Sequence, residues 1–203
     1  NVMGMCKAIQ ERIFTSANRE YHRTRFICVR YGTVLASRGS VIPLVHEQIA
    51  RGGPITITDR RMTRFLLSLD QAVDTVFTAV REARPGETYV PIIKSARVTD
   101  IAKALVADRG IAVEIIGIRP GEKLHEILVS EEESHRTIRR GDYYCILPVL
   151  PELRSELREG ETLEREYSSA DDLLDADRVG ELLARHRLLV GELDLTSEAE
   201  ILR

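Results

Sequence analysis

Arg25-Phe26-Ile27-Cys28-Val29-Arg30-Tyr31, closed by Gly32 and followed by Thr33-Val34, is the stretch on which the fold turns. Its β-forming residues are continuous rather than alternating, which is the pattern of a strand buried on both faces in a parallel sheet. A parallel strand needs a crossover, and helical segments flank this one on both sides. Upstream, residues 2–20 set Val2, Ala8, Ile9 and Ile13 near helical spacing. Downstream, Pro43 falls in the first turn of a helix to Ala50, where a missing N–H costs nothing, and Gly52-Gly53-Pro54 stop it.

The alternation continues. Ile55–Thr58 reads as a short strand and Arg64–Ser68 as extended chain. Asp70–Arg84 is an amphipathic helix with Ala72, Val73, Val76, Phe77 and Val80 on one side, ended by Pro85-Gly86. Thr88–Pro91 and Val113–Ile118 are strands, and between them Thr99 and Asp100 can cap a helix carrying Ile101, Ala104 and Leu105. This strand and helix rhythm predicts α/β architecture. The leucines at 173, 174, 182, 183, 188 and 189 predict helices in the last quarter, packed on the preceding domain or on a neighbouring subunit.

Composition narrows the classes. The 203 residues carry a net charge of -3, and no apolar run approaches the ~18 residues of a membrane span. Three scattered cysteines make neither a disulfide framework nor a Cys-x-x-Cys site, and five unpaired histidines predict no metal centre. Together these favour a cytoplasmic protein. Residues 151–203 hold 15 acidic and 7 basic side chains, a balance of -8, which leaves +5 on residues 1–150. A basic body suits an anionic ligand, yet its bases are interleaved with acids and lack an aromatic stacking surface, against nucleic-acid binding.

Four motifs carry chemistry, each with a plainer alternative. Met3-Gly4-Met5-Cys6-Lys7 places Met3 and Lys7 on one helical face, as a solvated helix places a lysine by spacing alone. Ser37-Arg38-Gly39-Ser40, ahead of the helix at Pro43, reads equally as a phosphate cradle or as a turn with an N-cap serine. Thr58-Asp59-Arg60-Arg61-Met62-Thr63-Arg64-Phe65 supplies three guanidinium groups, of which one aimed at a diphosphate suffices for binding. Arg119-Pro120-Gly121-Glu122-Lys123 offers an Arg to a phosphate and a carboxylate to ribose hydroxyls, or only a surface ion pair.

The order of these motifs is more specific than any one of them. Met-Gly-x-x-Lys, Arg-Tyr-Gly-x-Val with Ser-Arg-Gly-Ser-Val, Ile-Thr-x-x-x-Met-Thr-Arg-Phe and Ile-Arg-Pro-Gly-Glu-Lys-Leu-His-Glu closely resemble the extended short-chain dehydrogenase/reductases that act on UDP-sugars. More narrowly, the chain resembles the inverting UDP-N-acetylglucosamine 4,6-dehydratases of capsule and surface-polysaccharide synthesis. The resemblance is strong over residues 1 to about 150 and reaches to about 190.

The resemblance implies the C-terminal portion of an NAD(P)-binding Rossmann fold. Residues 1–53 would end the Rossmann domain, 54–150 form a smaller α/β nucleotide-sugar-binding domain, and 151–203 an acidic, largely helical extension. It gives Lys7 the role of the Tyr-x-x-x-Lys lysine, which meets the nicotinamide ribose and lowers the pKa of a neighbouring catalytic hydroxyl. Met3 stands where that Tyr belongs and has no proton to exchange, which favours the dehydratases over the epimerases. Tyr31 and Thr33 fall on the cofactor side, with Thr33 replacing an Asn that contacts substrate. Arg38, Ser40 and Val41 match the diphosphate and uridine side, Thr56 and Thr58 the uracil strand, and Arg64, Arg119 and Glu122 the groups closing over the nucleotide.

A whole enzyme of this kind would use NADP or NAD to oxidise C4 of the sugar, lose water across C5 and C6, and return hydride to C6. It would act as a homo-oligomer on a UDP-sugar. None of the thirteen glycines forms the Gly-x-x-Gly-x-x-Gly loop that receives the cofactor pyrophosphate, so this chain is expected to be a C-terminal part without turnover of its own. A UDP-hexose 4-epimerase and a non-catalytic nucleotide-sugar-binding module are the alternatives.

Overall fold

In the computed structural model, residues 2–154 and 160–192 are described. The chain opens with α1 (Val2–Ala17), β1 (Cys28–Val29), α2 (Val41–Ala50), β2 (Ile55–Ile57) and β3 (Thr63–Phe65). It continues through α3 (Leu69–Glu82), β4 (Thr88–Pro91), β5 (Ser95–Arg97), α4 (Val98–Val106) and β6 (Val113–Ile115). Then follow β7 (Ile127–Val129), α5 (Glu131–Ser134), β8 (Thr137–Arg140) and β9 (Tyr143–Ile146). After a 3-10 turn at Pro151–Leu153 come β10 (Tyr167–Ser168), β11 (Leu173–Leu174) and α6 (Ala176–Arg185). The α/β expectation is met.

The chain divides into two compact units that interleave along the sequence. The first comprises Asn1–Tyr31, Leu69–Ile92 and Ile127–Ser168; the second comprises Gly32–Ser68, Ile93–Glu126 and Ser169–Arg203. Each therefore draws on all three segments expected at 1–53, 54–150 and 151–203, the last of which lies outside the described residues at 155–159 and 193–203.

The first unit is built on a four-stranded sheet in the order β1-β4-β9-β8. β1 runs parallel to β4, with Cys28 opposite Thr88 and Val29 opposite Tyr89. The 25–31 run, expected as a buried strand, contributes only two ladder residues, and these are half-buried. Among the described residues β1 is an edge with one partner, so its other side has no ladder to extend it. Asn18 terminates α1 and pairs its amide with the Phe26 backbone in both directions, at 2.9 and 3.0 Å.

The buried face of α3 is rotated from the one expected, and only Ala72 is common to both. Ala72, Thr75, Thr78 and Ala79 are buried, whereas Val73, Val76, Val80 and Phe77, which is 59% exposed, point away. Small side chains let the helix lie close on the sheet, where Ala79 and Ala83 join Tyr89, Ile138 and Cys145 in the core. α1 buries none of its residues, and Met5, Ile9, Ile13 and Phe14 are exposed.

The second unit has a larger core, formed by Ile42 and Val45 of α2, Ile55 and Ile57 of β2, Ile101 and Leu105 of α4, and Val179 and Leu183 of α6. Its sheets are short: β11-β5-β3, and β2 paired in parallel with β6. The tail packs on this unit, as His46 Nε2 in α2 lies 2.8 Å from the Leu188 carbonyl oxygen. Two details depart from expectation. Leu173 and Leu174 form a strand parallel to β5 rather than a helix. Thr99 and Asp100 lie inside the first turn of α4, whose N-cap is Arg97 without a side-chain cap bond.

No described helix is long and apolar enough to cross a membrane, and no described group of three His, Cys, Asp or Glu residues can hold a metal ion.

Candidate functional site

The sequence candidates divide between the units. Met3, Lys7 and Tyr31 belong to the first; Thr33, Arg38, Ser40, Val41, Thr56, Thr58, Arg64, Arg119 and Glu122 belong to the second.

In the first unit Met3 and Lys7 sit on α1, four residues apart and both exposed. Because α1 buries no side chain, polar links fix it. Arg30, just after β1, donates Nε and Nη2 to the two carboxylate oxygens of Glu11 at 3.0 and 2.5 Å, and Nη1 to Glu133 Oε2 and the Leu128 carbonyl, each at 2.8 Å. Burial works against the Arg30 charge, but the bonds to Glu11 and Glu133 outweigh it and raise its pKa. Burial also opposes the Glu133 carboxylate, yet Arg30 and the Ser130 capping box hold it down at about 2. The cavity beside this cluster is about 20 Å³, room for a single water and not for a nucleotide.

The second unit holds a stronger candidate surface. Ser37 to Ser40 form a turn, with Gly39 at φ 76°, that leads into α2. Ser40 is the N-cap by backbone geometry, but its side chain makes no cap bond, and its buried Oγ meets no partner among the described residues. Arg38 is exposed and its guanidinium makes no ion pair with a described residue. A helix N-terminus, an unsatisfied hydroxyl and a free guanidinium within three positions favour an anion.

Farther along α2, Gln48 grips Thr56 of β2: its Nε2 donates to Oγ1 at 2.7 Å and its Oε1 accepts from the Thr56 N–H at 3.1 Å. Thr56 is thus a seam between helix and strand. Thr58 and Arg64 converge on Met62, whose Sδ lies 3.2 Å from both Thr58 Oγ1 and Arg64 Nη2. Arg64 also donates to the Thr63 and Leu124 carbonyls. Of the neighbouring basic residues, Arg61 is occupied by Asp59, whose pKa its hydrogen bonds lower to about 2.

Arg119-Pro120-Gly121-Glu122 is a closed turn. The Glu122 N–H donates to the Arg119 carbonyl at 3.1 Å, and Gly121 takes φ 85°, as a Pro-Gly turn of type II requires. Glu122 Oε2 accepts from the Arg119 N–H at 3.0 Å, so the carboxylate braces the turn while the Arg119 guanidinium stays exposed and without an ion pair to a described residue.

Four residues given no role by sequence form the best-connected part of the site. Glu126 accepts from Thr33 Oγ1 at 2.9 Å and from the Phe65 N–H at 3.1 Å. Its own N–H donates to Ser169 Oγ at 2.9 Å, which lies 2.6 Å from Thr63 Oγ1; that hydroxyl in turn meets His125 Nδ1 at 2.8 Å. Glu126 and His125 stand in the same Lys-Leu-His-Glu run that ends the fourth motif, and a polar pair so close after a turn was the available signal.

The chain is thus α/β, with an unpartnered Ser40 Oγ at the start of α2, exposed guanidinium groups at Arg38 and Arg119, and a part-buried hydroxyl–carboxylate network around Glu126. Residues 1–148 match the model of a family described as polysaccharide biosynthesis protein, and the chain belongs to that family. It is 42% identical over 153 residues to a UDP-N-acetylglucosamine 4,6-dehydratase (inverting) of Campylobacter jejuni, covering 74% of this chain and 45% of that protein. It is 42% identical over 150 residues to a UDP-glucose 4-epimerase of Rickettsia canadensis, covering 72% of this chain and 44% of that one. The solved structure of Pen from Bacillus thuringiensis superposes with a TM-score of 0.78 at 30% identity, covering 88% of this chain and 56% of that one. The chain thus spans about half the length of the relatives it matches.

Proposed function

We propose that this chain is the sugar-nucleotide-binding part of an inverting UDP-N-acetylglucosamine 4,6-dehydratase of surface-polysaccharide synthesis. The observation that carries the reading is the N-terminus of α2, where the unpartnered Ser40 Oγ and the free Arg38 stand ready for a diphosphate. Arg119, held on its own turn, supplies a second cation. Thr56 lies within β2 and Thr58 just beyond it, on the strand proposed for the uracil, and Arg64 is steered by Met62 and the Leu124 carbonyl.

The residues present do not make a dinucleotide site by themselves. Lys7 is exposed on α1 and fits one ribose contact, and no Gly-x-x-Gly-x-x-Gly loop occurs in the sequence. In this family the cofactor supplies oxidation at C4, and the part of this chain is to bind the nucleotide and orient the sugar. Met3 cannot transfer a proton, which supports the dehydratase over the epimerase. The equal identity to the Rickettsia epimerase keeps that second reading in view.

Calorimetric titration with UDP-N-acetylglucosamine, and product analysis with NADP, test the proposal. Binding without turnover by the 203 residues is expected. Steady release of a 4-keto-6-deoxy sugar would overturn the assignment of a binding part alone, and an unmodified C4 epimer as product would favour the epimerase.

A further inference from the structure

We infer that Glu126 is a positioning residue that fixes the Thr33 hydroxyl as a hydrogen-bond acceptor, so that Thr33 selects a donor group on the sugar rather than a phosphate oxygen. The inference rests on the nucleotide-sugar reading above.

The geometry leaves the carboxylate little freedom. Oε1 accepts from Thr33 Oγ1 at 2.9 Å and Oε2 from the Phe65 N–H at 3.1 Å. The Glu126 backbone is held from both directions by Ser169, its N–H to Oγ at 2.9 Å and its carbonyl from the Ser169 N–H at 2.8 Å. Ser169 is fully buried, so this anchor does not drift with solvent. On the other side Gly32 lies against Phe65 and sets the Thr33 backbone beside β3.

A carboxylate offers lone pairs and no proton, whereas a hydroxyl has one proton and two lone pairs. With both oxygens of Glu126 accepting, the Thr33 proton is committed to Oε1. What partly exposed Thr33 has left to offer a ligand is a lone pair. A phosphate oxygen also brings only lone pairs, and it would add negative charge beside the carboxylate. A sugar hydroxyl or an acetamido N–H brings the missing proton. The pair therefore reads the donor-bearing part of the ligand.

The variants T33V, T33S, E126Q and T33V/E126Q test this in the full chain, with UDP-N-acetylglucosamine and UDP as probes. T33V removes the hydroxyl at nearly constant shape; T33S retains it. In E126Q the amide oxygen keeps the Phe65 N–H and the amide nitrogen turns a donor on Thr33, which reverses the hydroxyl. The expected result is a ~3- to 10-fold weaker affinity of T33V for UDP-N-acetylglucosamine with unchanged affinity for UDP, as loss of one neutral hydrogen bond gives. E126Q should show the same selective loss, T33S should restore wild-type affinity, and the double variant should lose no more than T33V. Equal loss for UDP would place Thr33 on the diphosphate and overturn the inference, and multiplying losses in the double variant would detach Glu126 from Thr33.

A ligand-free arm separates this from the functional reading. The Phe65 amide resonance in nitrogen-15 spectra should move in T33V and stay near wild type in T33S. An unmoved Phe65 amide in T33V overturns the clamp. Failure of the unaltered chain to bind either nucleotide would instead overturn the nucleotide-sugar reading and the ligand half of the inference, with the clamp still decided by Phe65.

Discussion

Arg30 holds Glu133 through two guanidinium nitrogens, Nη1 at 2.8 Å from Oε2 and Nη2 at 3.2 Å from Oε1. The Glu133 side chain is largely buried, and its pKa falls from 4.5 to about 2. A carboxylate with a depressed folded pKa binds fewer protons folded than unfolded, so its stabilisation is complete above the unfolded value and disappears as pH drops through the folded one. The shift corresponds to about 3 kcal/mol at ~1.4 kcal/mol per unit. Urea unfolding of wild type and E133Q should therefore differ by about that much at pH 7, with the gap narrowing below pH 4.5 and closing near pH 2. A gap that stays constant down to pH 2 would remove the ion pair from the account.

The same guanidinium fastens α1, which has no buried side chain of its own. Arg30→Lys keeps the charge but loses the planar fork that reaches Glu11 and Glu133 together. Amide exchange in α1 should accelerate in this variant more than exchange in β9. In Arg30→Met, where the largely buried Glu133 keeps only Arg136 at 3.4 Å and the Ser130 cap, the loss should reach ~3 kcal/mol. Unchanged α1 protection in both variants would mean that the Phe14 and Phe26 rings, 6.2 Å apart, carry the attachment instead.

Periodicity made most elements legible, because the helix at 41–50 and the strands at 55–57 and 88–91 follow from local spacing and turn residues alone. It misassigned most of the face of α3, since hydrophobicity names Phe77 and Val76 while close approach to a sheet selects Thr75, Thr78 and Ala79, with Ala72 common to both. The candidate site was half legible for a similar reason. Arg38, Ser40 and Arg119 announce themselves by charge and by the turns around them. Glu126 does not, because its role comes from Thr33 and Phe65, 93 and 61 positions away, and contacts of that range leave no local pattern. Glu11 and Glu133 were missed on the same ground.

Gly32 gives a steric prediction. A Cβ built there would lie 2.6 Å from the Phe65 Cβ, a distance at which backbone or β3 must shift. Gly32→Ala should lower the urea midpoint by the equivalent of ~1 to 3 kcal/mol, the range for overpacking a core. Because Thr33 follows directly, the Phe65 amide resonance should move as well. A midpoint within error of wild type would show that the β3 backbone at Phe65 yields freely.

Arg38 and Arg119 should contribute to nucleotide binding through charge, each free of ion pairs with described residues and each at a turn that fixes its backbone. Removing a charge-assisted phosphate contact costs about 1.5 to 3 kcal/mol, so Arg119→Ala and Arg38→Ala should each weaken UDP by ~10- to 150-fold. Both losses should shrink at 1 M salt, where screening acts within ~3 Å. Stability should hardly change, because neither guanidinium is buried and such surface substitutions stay within ~0.5 kcal/mol. A calorimetric titration with UDP at low and high salt reads both effects. Undiminished UDP affinity in Arg119→Ala would take that turn out of the site and leave the diphosphate to Arg38 and the N-terminus of α2.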